Sequence, residues 1–119
     1  MSLVGDLLKE LSLLNEMSNL DPDETGLPTL THLYKGILPH NRRIKVQLSP
    51  GPINRKNAVS VAIHDPNVLK GNKKVVAKFR GSSQHSLTRR FIELNREALV
   101  AHARDELTDA QLRQRLIKV

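Results

Sequence analysis

Cysteine and tryptophan are absent from the 119 residues, and the only aromatics are Tyr34, Phe79 and Phe91. Without cysteine there can be no disulfide staple, thiolate zinc centre or cysteine nucleophile, and a reducing compartment suits such a chain. With so few aromatic rings, the stacking platforms on which sheets hold unpaired bases are scarce as well. No run approaches the roughly 18 apolar residues of a membrane span. The opening residues lack the basic-then-apolar order of a signal peptide, so the expected location is the cytoplasm. Also missing are the Gly, Lys and Ser or Thr spacing of a Walker loop, a nucleophile elbow, and helix-turn-helix or zinc-finger patterns.

Acid is scarce in one region only. Residues 1–34 carry one lysine against six acids, and residues 91–119 carry five bases and five acids. Between 35 and 90 there are thirteen Lys or Arg and a single acid, Asp65, which produces the net charge of +7. Such segregation is a statement about fields and association rather than about fold.

The apolar positions divide into two periods. Val4, Leu7, Leu8, Leu11 and Leu14 recur at threes and fours, which predicts an amphipathic helix over 3–18. The turn-forming run from Asn19 to Pro28 predicts a loop. A strand is expected within Thr29–Leu38, and Ile44, Val46 and Leu48 alternate with Arg43, Lys45 and Gln47 as a half-buried strand requires. After Ser49-Pro50-Gly51-Pro52 and a basic loop, Val59, Val61 and Ile63 repeat the alternation, and Val75, Ala77 and Phe79 predict a further strand over 73–80. Leu87, Phe91, Leu94, Ala98 and Ala101 then mark a helix over 84–104, and Thr108 with Gln111 has the form of a capping box before a short last helix.

The expected fold is α+β: a small antiparallel sheet of three or four strands, with an N-terminal helix and two C-terminal helices on one face. One domain is expected over 1–119, with an acidic helix (3–18), a loop (19–28), a basic sheet region (29–80) and a helical C-terminus (84–119). The sheet face away from the helices would present Arg43, Lys45, Gln47, Ser60, His64, Lys74, Lys78 and Arg80. In such a meander Arg55 and Lys56 would lie near Arg80, and His40 and Arg42 would approach Lys70 and Lys73. A basic field of this breadth suits phosphate backbones, bound by charge neutralisation and counterion release without reading sequence.

The expected function is therefore a non-catalytic domain that binds DNA or RNA through Arg43, Lys45, Arg55, Lys56, Lys74, Lys78 and Arg80. Ser82 and Ser83 at a strand-to-helix junction, with Arg89 and Arg90, form a phosphate-binding candidate, for which the plain alternative is a serine cap. A second reading takes the partner as an acidic protein surface or another copy of the chain, so that acidic and basic regions pair. A third casts Tyr34, Arg43, Lys45, His64 and Arg80 as the acid, base and charge stabilisers of a small ribonuclease toxin.

No cofactor or metal is expected. Asp21, Asp23, Thr25 and Gly26 imitate the opening of a calcium loop, but His32 occupies the position that needs a bidentate glutamate. His32, His40, His64, His85 and His102 form no close pair at ligand spacing, and each is expected at the surface or a sheet edge.

Tyr34-Lys35-Gly36-Ile37, Pro39-His40 ahead of Arg43-Ile44-Lys45-Val46, and Phe91-Ile92-Glu93-Leu94-Asn95-Arg96-Glu97-Ala98-Leu99 carry a loose resemblance. From Tyr34 to about Glu106 the layout resembles a family of small uncharacterised bacterial proteins sometimes encoded beside toxin and antitoxin genes. Relatives of that kind carry a Pro-His-x-His-Val strand, whereas Arg42 and Arg43 stand here where the second histidine would fall. The resemblance implies the fold and a bacterial or phage setting, and no particular reaction.

Overall fold

The computed structural model describes residues 17–34, 42–52 and 54–119. Within them five strands form one antiparallel sheet whose spatial order is the chain order: β1 (Met17–Leu20), β2 (Thr31–Tyr34), β3 (Arg43–Gln47), β4 (Ala58–Ala62) and β5 (Leu69–Lys70). The α+β class and the antiparallel meander are as expected, but the strands number five. Alternation sets one face into the core. Leu33 pairs with Ile44, Ile44 with Val61, and Val46 with Val59, and all of these side chains are buried.

The helices differ in number and place from expectation. After the one-turn α1 (Pro22–Thr25), three lie C-terminal to the sheet: α2 (Lys73–Phe79), α3 (Ser83–Ala103) and α4 (Asp109–Arg115). The expected helix over 3–18 falls largely outside the described residues. Its last two positions, with Asn19 and Leu20, form β1, because pairing with β2 outweighs the helical spacing that precedes it.

The strand expected over 73–80 is a helix. Val75, Ala77 and Phe79 do alternate, but Val75, Val76 and Phe79 equally form one helical stripe, and these are the side chains turned toward the core. Gly71, at φ +150°, lets the chain leave β5, and the Asn72 side chain caps the helix by accepting from the Lys74 amide at 3.0 Å. The real last strand is the shorter β5, ahead of that glycine.

The two later helices follow their sequence signals. Ser82 caps α3, its Oγ accepting from the His85 amide at 3.2 Å. Thr108 and Gln111 make both bonds of the capping box on α4. Phe91, Ile92 and Leu99 of α3 and Leu112 of α4 complete the core against the sheet; truncating Phe91 to Ala would cost about 3–5 kcal/mol.

The last residues close back on the first strand. Ser18 Oγ donates to Asp109 Oδ2 at 2.7 Å, and Arg113 donates to Glu24 at 2.6 Å and to the Asn19 carbonyl at 3.0 Å. The Val119 amide reaches the Thr25 carbonyl at 3.0 Å. Gly26 is needed there twice over: its φ is +81°, and a Cβ would lie 2.5 Å from the Val119 carbonyl oxygen.

Candidate functional site

On the sheet face away from α3, the register aligns Asn19, His32, Lys45, Ser60 and Lys70 in one row across all five strands. At the β4–β5 end this row opens into a groove of about 420 Å³ lined by Lys45, Lys56, Ala58, Ser60, Lys70, Gly71 and Asn72. Lys45 and Lys70 stand two strands apart, about 10 Å between backbones. The floor is low because Ala58, Ser60 and Gly71 have little or no side chain. Three ammonium groups thus border a concave surface with no carboxylate among its described lining residues.

The third lysine is brought there by a residue expected on the open surface. Gln47 ends β3 on the basic face, yet it is only 1% exposed. Its side-chain amide donates to the carbonyls of Ser49 (2.9 Å) and Pro52 (3.0 Å), with that of Gly51 at 3.3 Å, and its Oε1 accepts from the Asn54 amide at 2.9 Å. The loop thus folds down over Gln47. Asn54 then caps a 3-10 turn over Arg55–Asn57, accepting from the Lys56 amide at 3.2 Å, which sets Lys56 beside the groove. The Leu48 amide closes the hairpin on the Asn57 carbonyl at 2.8 Å.

A second, more open hollow of about 770 Å³ flanks β5 and is lined by Leu69, Lys70, Gly71, Lys73, Val76, Ala77 and Arg80. Lys70 and Gly71 border both. The expected basic residues are accordingly spread over two neighbouring surfaces. Lys45 and Lys56 line the groove, and Arg43 lies farther along β3, half-buried opposite Ala62. Lys74 and Lys78 project from α2 and not from the sheet, because that segment is helical. Arg80 follows α2, its Nη1 donating to the Asn67 carbonyl at 3.4 Å. The Arg55 side chain and His40 lie outside the described residues. Lys56 shares the groove with Lys70, and Arg80 lines the neighbouring hollow.

At the start of α3, Ser82 acts as a cap, its hydroxyl also donating to the Phe79 carbonyl at 2.6 Å. Ser83 and Arg90 are exposed. Arg89 donates to Asn67 Oδ1 at 3.3 Å and to Ser86 Oγ at 3.4 Å, so Arg80 and Arg89 both brace the turn through Asn67.

Three histidines expected at the surface are buried, each inside a packed junction. His32 hydrogen-bonds through Nδ1 to Asn19 Oδ1 at 2.7 Å, and His102 through Nε2 to Asp109 Oδ1 at 2.6 Å. His85 accepts at Nδ1 from the Gly81 amide (3.2 Å), while its Nε2 meets the Pro66 carbonyl (3.0 Å), which only a donor can satisfy. His85 is therefore the Nε2–H tautomer, joining the ends of α2 and β4 to α3. Of the ribonuclease set, Lys45 lines the groove, Arg80 the other hollow, and His64 is exposed beyond β4. Tyr34 has no described side chain. Thr25 turns inward, accepting from the Leu27 amide at 2.9 Å, so the calcium-like run does not converge. Among the described residues no three of His, Asp and Glu come together as metal ligands, and no helix is long and apolar enough to cross a membrane.

No protein-family model, curated protein or solved structure matches the chain. The resemblance over residues 34–106 rests on its motifs alone.

Lys70, Gly71, Asn72 and Gln47 were not singled out as site residues by sequence reading. The available signal was Gly71-Asn72, a chain-reversing glycine followed by a helix cap, which relocates the last strand and puts Lys70 on it.

Proposed function

We propose that this domain binds the phosphate backbone of nucleic acid, without catalysis, at the groove bordered by Lys45, Lys56 and Lys70, with Lys73, Lys74, Lys78 and Arg80 extending the basic surface past β5. The observation that carries the reading is the convergence of three lysines, from three separate segments, over a floor of Ala58, Ser60 and Gly71. A low floor lets a ribose-phosphate chain lie close to the ammonium groups. The chain has no tryptophan and only three other aromatic residues, so contacts with the backbone outweigh stacking. Such binding is insensitive to base sequence and steeply sensitive to salt.

The test is fluorescence anisotropy with labelled single-stranded RNA, single-stranded DNA and duplex DNA across a salt series. Affinity should fall linearly in log–log form, by about 0.7–0.9 in slope per phosphate contacted. Lys56→Ala and Lys70→Ala should each weaken binding to every sequence alike and reduce the slope by about 1. Absence of binding at low salt, or lysine variants that bind as the parent does, would sink the reading.

A further inference from the structure

We propose that the chain self-associates through the outer face of α3, as an antiparallel helix pair between two copies. The inner face of α3 is committed to the core through Phe91, Ile92 and Leu99. Its outer face carries a second stripe at alternating spacings of four and three: Ser83, Leu87, Arg90, Leu94, Glu97, Ala101 and Arg104. That is the spacing of a helix-pairing seam. Leu87 is 37% and Leu94 42% exposed, and among the described residues they are two of the four large apolar side chains left open to solvent.

Scattered surface leucines are ordinary in globular proteins. The order of this stripe is what points to a second copy, because opposite charges and a large and a small apolar residue stand at matching distances on the two sides of its centre. On either side of Leu94 stand Arg90 and Glu97, then Leu87 and Ala101, then Ser83 and Arg104. A two-fold axis at Leu94, perpendicular to the helix, places Leu94 on its own counterpart. It places each Leu87 on the partner's small Ala101, and each Arg90 beside the partner's Glu97. Neither Arg90 nor Glu97 makes a hydrogen bond or ion pair within the described chain, so both remain available for the crossed pairs. A two-fold interface requires this self-complementarity, each patch being its own partner. The helix is about 30 Å long, so the contact falls in the small class of interfaces and the dimer is weak and concentration-dependent.

Sedimentation velocity over a wide concentration range is the measurement. The parent chain should pass from monomer to dimer as concentration rises. Leu94→Glu, which sets two carboxylates against each other on the axis, should stay monomeric. Arg90→Glu and Glu97→Arg, each alone, should also be monomeric. An equimolar mixture of those two single variants should regain the dimer, because every crossed pair is then of opposite charge, and the double swap within one chain should regain it too. Circular dichroism and thermal unfolding of each variant establish that it folds, which these exposed positions permit. A parent that remains monomeric throughout overturns the proposal. So does a dimer indifferent to Leu94→Glu, or a mixture that does not associate.

Discussion

Buried polar side chains do much of the positioning in this molecule, and each substitutes for backbone hydrogen bonding where the chain is irregular. Asn95 of α3 is the plainest example: its Nδ2 donates to the Phe91 and Ile117 carbonyls at 2.9 Å, and its Oδ1 accepts from the Ile117 amide at 2.8 Å, as a strand partner would. Gln47 does the same for the loop over 49–54. Gln47→Leu keeps the bulk and removes the donors, so the loop should lift. We expect a loss of about 2 kcal/mol in urea unfolding. We also expect a nucleic-acid salt slope reduced as in Lys56→Ala, because Lys56 would no longer be held at the groove. A loss of stability with the slope unchanged would show that the loop does not position Lys56. Period-two alternation assigns Gln47 to solvent, and that is where the sequence misleads. A physical signal was present in Pro50 and Pro52, which have no amide to offer. Their turn needs a donor from elsewhere, and the nearest long amide side chain is Gln47.

Among the elements, those with one dominant pattern were legible and those with two were not. β3, β4, α3 and α4 match expectation to within a residue or so, because alternation or capping chemistry admitted no rival. α2 had both patterns, and its cap decides between them. Asn72→Ala should therefore cost about 1 kcal/mol in thermal or urea unfolding. Asn72→Ser should recover most of it, and hydrogen exchange should quicken at the α2 amides first. An equal loss for Ala and Ser would mean that Asn72 acts through something other than its cap. The helical assignment has a consequence for the basic surface. Lys74 and Lys78 leave the sheet face, and the open part of that face narrows to the groove at β4 and β5. Elsewhere on it Ala62 and His32 are buried.

For the whole molecule, the three-part charge segregation reads differently in space than in sequence. Among the described residues Glu24 is paired with Arg113, and Asp109 is bonded to Ser18 and His102. Glu24 of the first third thus meets the last third. This arrangement could not be read from composition, because it depends on contacts such as Ser18 to Asp109, 91 residues apart in the chain. The same contacts set the order of folding events. Each strand is hydrogen-bonded to its neighbour in sequence, so the sheet can zip up through short loops, whereas joining residues 18–26 to 109–119 must close nearly the entire chain. The closure should come late, after the rate-limiting barrier. Arg113→Ala, at about 1 kcal/mol, should then raise the unfolding rate roughly fivefold and leave the folding rate almost unchanged in stopped-flow chevrons. A matching fall in the folding rate would place the closure before the barrier. With its closure late, the clasp between first strand and last helix governs how long the native state persists and has little influence on how quickly it is reached.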